Sequence, residues 1–354
     1  MTAMVKTGLE PPLALMEAVL RDGAPLAPEY PLVFHPEAQG GCVALSDGAT
    51  VQSACAVLPR DFVTPAGNVR IGLIGSVSTH PDFRRRGCAT RLLAEAEASL
   101  ARMGCTLSLL WGDDVMFYYK RGYRPIGYEL DFRLSRDLIG RLPAKAVRAA
   151  KPSDARAIHA LYATHELRVE RSPRETELSL ACPAMETLVV ESGGRVCAYA
   201  CRGRGRDLGS AIHEWGGETE SVLALLRAHL ERAPVGESLF LMVDPASREL
   251  AERLASLGVE GTSGFLGLAK VLDRRALAEL LESRIRPRAS VTIEGDVIEL
   301  AGAGGHGALN DDMLLGLLFP PFGLCDANAE LGDAFGLDVS GLPVGLFAWG
   351  LDSI

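Results

Sequence analysis

Hydrophobic and polar positions repeat along this chain with periods that spell out its elements. Leu13 to Leu20, behind Pro11, predicts a helix, and a loop rich in Pro and Gly follows it. Cys42 to Leu45 and Val51 to Leu58 read as strands around an Asp47-Gly48 hairpin turn. Val69, Ile71 and Leu73 alternate, the pattern breaks at Ile74-Gly75, and it resumes out of phase at Val77 and Thr79. Such a slip beside a glycine predicts a β-bulge. Arg84, Arg85, Arg86 and Gly87 then open a strongly periodic helix. Ala89, Leu92, Leu93, Ala96, Leu100 and Met103 fall on one face of it, and Gly104 stops it. A strand from Thr106 to Trp111 comes next, then a short helix from Asp113 or Asp114 to Gly122. The alternation of Tyr128, Leu130, Phe132 and Leu134 predicts a further strand.

Around Arg148 the pattern starts again. Lys151-Pro-Ser-Asp154 opens a helix, and Leu188 to Val190 and Val196 to Ala200 flank the turn Ser192-Gly193-Gly194. Leu208 to Trp215, Leu239 to Val243 and Phe265 to Val271 read as strands, with helices from Glu218 to Leu230 and from Ala246 to Leu257. This order of β, β, β, α, β, α, β copies the first half without its arginine–glycine turn. At the corresponding place stands Trp215-Gly216-Gly217-Glu218, where the acid repels a phosphate. After about Ala276 come a linking helix, a hairpin from Ser290 to Leu300 turned at Glu294-Gly295-Asp296, a glycine-rich loop and a small helix from Asp312 to Phe319. The chain then ends on apolar residues, which predicts a tail tied down rather than frayed. The expected division is 1–147, 148–275 and 276–354, a mixed-sheet α/β (α+β) fold.

Composition changes this picture little; charge changes it more. The 354 residues are 48% hydrophobic and 23% charged, as in an ordinary globular protein with a sizeable core. Leu13 to Leu20 contains Glu17 and follows no basic region, so it does not read as a signal peptide. Met313 to Leu324 is too short to span a bilayer and is broken by Pro320 and Pro321. Cys42, Cys55, Cys88, Cys105, Cys182, Cys197, Cys201 and Cys325 form no CxxC pair, so reduced thiols in a cytoplasmic protein are expected, with no metal. The net charge is −9, yet no Lys or Arg follows Arg288 while ten acids do. By charge, nucleic acid is therefore not expected as a partner, and with no spanning stretch neither is a membrane; cationic small molecules or basic peptides suit this end of the chain, unless it is simply a solvated acidic surface.

Free N–H groups at a helix start, with arginines and a glycine, suit a phosphate. Arg84-x-x-Gly87-x-Ala89 sits behind a bulged strand and is followed by Phe117-Tyr118-x-x-x-Gly122-Tyr123. In that order the elements resemble the GNAT superfamily of acyl-CoA-dependent N-acyltransferases, over about Val69 to Leu130. Two tandem GNAT-like halves, the second lacking the phosphate turn, with a small C-terminal domain, resemble the Eis (enhanced intracellular survival) type of acetyltransferase. Thr79-His-Pro-Asp-Phe-Arg-Arg-Arg-Gly87 is especially similar to that family's turn. The chain is shorter than typical members in its third domain, for which the resemblance implies a sterol-carrier-like fold.

The resemblance implies acetyl-CoA as co-substrate. Val77, Ser78 and Thr79 would hold the pantetheine arm, with backbone pairing at Val77 and Thr79, and Arg84, Arg85, Arg86, Gly87, Cys88, Ala89 and Thr90 the pyrophosphate. It implies Tyr118 as the general acid for the departing thiolate. The strand from Val69 to Thr79 holds no glutamate, so the base implied is the C-terminal carboxylate, here that of Ile354. Asp113 and Asp114 compete for that role, though helix capping suits them too. His80 reads as a surface histidine before Pro, and Cys88 as a small residue at the turn rather than a nucleophile. Cys197 and Cys201, four apart on a strand, are poorly placed to share a metal. Trp111 either lines the acceptor pocket or fills the core. The function implied is acetyl transfer to a primary amine of a cationic small molecule or lysine-like acceptor, with homo-oligomers possible in this family. A peptide, protein or longer-chain N-acyltransferase and a non-catalytic CoA-binding sensor are the alternatives.

Overall fold

In the computed structural model, residues 4–5, 10–48, 50–285, 289–295, 297–321, 329–330, 332–333, 336 and 339–354 are described. Asp296 of the expected turn and Cys325 lie outside them.

Strands β1 (Met4–Val5), β2 (Gly41–Ser46), β3 (Val51–Thr64) and β4 (Gly67–Thr79) form an antiparallel run, with helices α1 (Glu10–Leu20) and α2 (Pro31–Phe34) between the first two. Helix α3 (Cys88–Arg102) crosses over so that β5 (Leu107–Leu110) pairs with β4 in parallel. Alternation along the strands divides the core. Leu58, Ile71 and Leu73 share one cluster with Met16 of α1, while Val57 and Ile74 pack with Leu92, Leu93, Ala96 and Leu100 of α3. Gly104, at φ +77°, ends α3 in the left-handed conformation its position predicts. Helix α4 (Val115–Tyr119), β6 (Arg124–Ile126) and β7 (Glu129–Leu134) close the first half.

The second half repeats the plan. It runs β8 (Val147–Ala149), α5 (Ala155–Tyr162), β9 (Arg168–Val169), α6 (Pro173–Leu180), β10 (Glu186–Ser192), β11 (Arg195–Arg202) and β12 (Ala211–Gly217). Helix α7 (Thr219–Arg232) crosses to β13 (Leu239–Val243), parallel to β12, and α8 (Arg248–Ser256), β14 (Gly261–Gly264) and β15 (Gly267–Val271) follow.

The halves exchange their last strands. The first sheet has the order β1-β2-β3-β4-β5-β15-β6 and the second β14-β7-β13-β12-β11-β10-β8. Thus β15 pairs with β5 and β6, while β7 pairs with β13 and β14. Period-two alternation fixes which face of a strand is buried but not which sheet receives it.

The third segment is a small unit of α9 (Arg274–Ile285), β16 (Ala289–Glu294), β17 (Val297–Gly302), β18 (Gly305–Leu309) and α10 (Asp311–Leu318). The expected glycine-rich loop is β18, a strand. Among the described residues it lies at the sheet's edge and pairs only with β17, where missing side chains cost little.

Because each sheet contains a strand of the other half, neither is complete alone. Denaturant unfolding of the full chain should therefore show one cooperative transition for the two large sheets, read by tryptophan fluorescence and far-ultraviolet dichroism together. Two separated transitions, one for each sheet, would contradict the exchange.

Candidate active site

The bulge expected at Gly75 is present. Ser76 has φ +52°, and the β3–β4 register slips between Ala54 and Ala56. Pairing of β4 with β5 ends at Ile74 opposite Leu110. Residues 75–79 therefore leave β5 and, among the described residues, face that side with no strand partner.

The turn beyond this strand gathers three arginines at the start of α3. Pro81–Phe83 form a 3₁₀ turn capped by His80, whose Nδ1 accepts from Asp82 N at 3.3 Å. The three arginines precede the helix: Arg85 has φ +59°, and Gly87, at φ +76°, is the N-cap before Cys88. Arg84, Arg85 and Arg86 are exposed around these outward N–H groups. The Cys88 side chain is buried near Gln52, which leaves only its backbone for a ligand. Arg121 is a cation that sequence reading missed. It donates to Thr90 Oγ1 at 3.0 and 2.5 Å and stacks over Phe117 at 3.5 Å. Its one sequence signal is its place among the unspecified positions of the Phe117–Tyr123 motif.

Asp114 caps α4, accepting from Phe117 N at 3.0 Å. Tyr118 lies one turn along, its ring so close to Gly112 that an added Cβ there would stand 2.4 Å from Cε2. Burial pushes its phenol up, Cys55 and Asp114 add to this, and Arg121 opposes it. Tyr118 therefore holds its proton at neutral pH.

The tail arrives at the same place from the other end of the chain. Phe347, Trp349 and Leu351 are buried, and Trp349 packs on His165 and Trp215 while donating to Leu167 O at 3.1 Å. Strands β12 and β13 pair only at Ala211–Phe240 and Ile212–Leu241. Just beyond, Gly350 N donates to His213 O at 3.0 Å. The tail thus lies along β12 where β13 departs. Asp352 is fully buried: its Oδ1 is 2.9 Å from Arg171 Nε, and its Oδ2 accepts from Tyr162 Oη at 2.9 Å. Arg171 also bonds Glu214 at 2.6 Å and stacks over Tyr162 at 3.5 Å. Burial lifts the Asp352 carboxyl to about 6, against the pull of Arg171. Removing the arginine would leave two buried carboxylates unpaired, at a cost of about 3–5 kcal/mol. Two residues on, the Ile354 carboxylate lies against Gly75, where a Cβ would stand 2.3 Å from its oxygen.

One cavity of about 780 Å³ is lined by Gly75, Ser76, Val77, Trp111, Asp113, Tyr118 and Ile354 from these elements. Glu129, Asp131, Phe240 and Met242, on one face of the second sheet, form its opposite wall with Asp207. Trp111 is thus a cavity residue, held by a bond from Nε1 to Leu266 O at 2.7 Å. Burial, with Asp131 beside it, pushes the Glu129 carboxyl up to about 8. Asp131 is raised by burial as well. Arg21 and Arg204 also reach the cavity, but Arg21 is engaged by Glu29 and Asp207, and Arg204 by tail carbonyls. Sequence reading missed Glu129 and Asp131 because they alternate with core residues like any solvated strand face.

The family model for the acetyltransferase (GNAT) domain matches residues 32–126. Those residues are a GNAT domain. They include the bulge, the arginine turn and Tyr118. No curated protein matches the chain in sequence. Solved structures match the fold over far more than the GNAT domain. A probable N-acyltransferase of unknown function from Enterococcus faecalis is 14% identical with a TM-score of 0.65, covering 88% of this chain and 85% of that one. A GCN5-related N-acetyltransferase from Anabaena variabilis is 15% identical, with a TM-score of 0.61 and the same coverage. An Eis protein from Mycobacterium abscessus is 15% identical with a TM-score of 0.57, again at 88% and 85%. Among the described residues, no helix is long and apolar enough to cross a membrane.

Two outcomes follow for the cavity. Gly75→Ala should displace the C-terminus and speed its digestion by carboxypeptidase; unchanged resistance would place the tail elsewhere. Glu129 binds its proton more tightly folded than unfolded, so its contribution is complete below about pH 4.5 and is lost as pH rises through about 8. Glu129→Gln should make the fall of the thermal midpoint between about pH 5 and 8 shallower, and an unaltered slope would contradict the assignment.

Proposed function

We propose that the chain transfers the acetyl group of acetyl-CoA to a primary amine of a cationic small molecule or lysine-like acceptor, by direct attack. The observation that carries this reading is that Tyr118 and the terminal carboxylate of Ile354 line one cavity, beside the parted strand β4. The residues fit acetyl-CoA as substrate. The unpaired edge at Val77 to Thr79 suits the pantetheine amides, as an added strand does. Arg84, Arg85, Arg86 and the start of α3 from Gly87 to Thr90 suit the pyrophosphate, with Arg121 adding charge.

In the reaction the acceptor nitrogen forms its bond to the acetyl carbon, and the bond from that carbon to sulfur breaks. The Ile354 carboxylate takes the proton from nitrogen, and the Tyr118 hydroxyl gives one to the departing sulfur. Asp131 and Asp207 bring negative charge to this wall, and a cationic acceptor beside Glu129 would favour the ionised form of that carboxyl as well. Glu129 also supports a second reading of the base, because it lines the same cavity and burial there pushes its carboxyl up to about 8.

Lengthening the chain by two glycines after Ile354 should lower kcat at least about 100-fold while acetyl-CoA still binds; full activity would sink the terminal base and favour Glu129. Tyr118→Phe should lower kcat by about 10²–10⁴-fold with acetyl-CoA affinity unchanged. A wild-type rate in that variant would remove Tyr118 from the chemistry. Calorimetry should give one acetyl-CoA per chain, since the tail already occupies the second cleft. A stoichiometry of two would contradict that.

A further inference from the structure

Burial of Phe347, Trp349 and Leu351 secures the tail only as far as Leu351. Of the last three residues, Ile354 packs half-buried against the core, while Asp352 and Ser353 are set by polar groups. Arg171 and Tyr162 grip Asp352. Arg204 donates from Nη1 to Gly350 O at 2.5 Å and to Ser353 O at 3.1 Å. Within the tail, Asp352 N donates to Trp349 O at 2.8 Å and Ser353 Oγ to Gly350 O at 3.0 Å, closing a turn. Both arginines belong to the second half of the chain. Among the described residues neither bonds the arginine turn or Tyr118, so the chemistry assigned to those groups leaves this pair without a use.

We propose that Arg171 and Arg204 are positioning residues that fix the C-terminal carboxylate at Gly75, Arg171 through Asp352 and Arg204 through the carbonyls of Gly350 and Ser353. The inference rests on Ile354 as the proton acceptor. Two residues span at most about 7 Å, so holding Asp352 confines the carboxylate to a small volume. Once the grip is lost, the carboxylate samples solvent as well as the cavity, and its effective concentration at the amine falls. Glu214 keeps Arg171 paired if Asp352 is neutralised, so the guanidinium is not left alone in the core. The ligand held in the second cleft is then the enzyme's own base-bearing tail.

The test is a double-mutant cycle on the full chain, with Asp352→Asn and the two-glycine extension made singly and together. Asp352→Asn should lower kcat about 10–100-fold with the acetyl-CoA dissociation constant unchanged. In the extended chain the same substitution should change kcat by less than about twofold, because the carboxylate it positions is already misplaced. A merely structural role would make the two losses multiply, and that result overturns the proposal. Arg171→Lys, which keeps the charge, should retain more activity than Arg171→Met; equal losses overturn the role of the ion pair. If Asp352→Asn does not fold, Arg204→Met leaves the buried pair whole and takes its place in the cycle. An extended chain with full kcat overturns Ile354 as base, and this inference with it. An inactive extended chain beside an Asp352→Asn chain of unchanged kcat overturns this inference alone.

Discussion

Two parallel strands that part along their length leave backbone N–H and C=O groups on their facing edges, and those groups need partners. This chain sets that problem twice. In the first half β4 and β5 part at the Gly75 bulge; in the second, β12 and β13 part after Ile212. The second cleft is met by the chain itself, through Gly350 on His213 and Trp349 among His165 and Trp215. The first opens into the cavity. One plan built twice thus leaves one cleft open and one filled by the tail, and the tail runs from the second cleft to the first.

Close approach at two glycines makes the route possible. Gly350 meets His213 and Gly75 meets the terminal carboxylate, each nearer than a Cβ allows. The Arg171, Glu214 and Asp352 cluster, with no exposed side-chain surface, adds direction. Buried ion pairs are weak sources of net stability, but they admit few geometries. A tail held by apolar packing alone has no such restriction at its last residues. The second half, whose turn carries Glu218 in place of arginines, serves the first as its holder in the function proposed here.

Much of this was legible in the sequence. The bulge announced itself as a phase slip at Ile74-Gly75, α3 as a face of Leu92, Leu93, Ala96 and Leu100, and the anchored tail as an apolar terminus. What was hidden depends on contacts distant in sequence. The alternation in β7 and β15 gives no sign of the exchange, because either sheet would bury the same residues. Glu129 and Asp131 look like a solvated face until the second sheet turns that face toward Tyr118. Arg171 reads as one more arginine before a capping box, since its partners lie 43 and 181 residues away. The glycine-rich β18 was misread because glycine marks loops more often than edge strands.

A structure of the enzyme with acetyl-CoA bound tests the central claim most directly. One molecule per chain should lie along Val77 to Thr79. Its sulfur should be within about 3–4 Å of Tyr118 Oη, with the Ile354 carboxylate still against Gly75 and facing the thioester carbon. Acetyl-CoA in the second cleft, or a carboxylate withdrawn from the thioester with the tail released from Arg171, would contradict it.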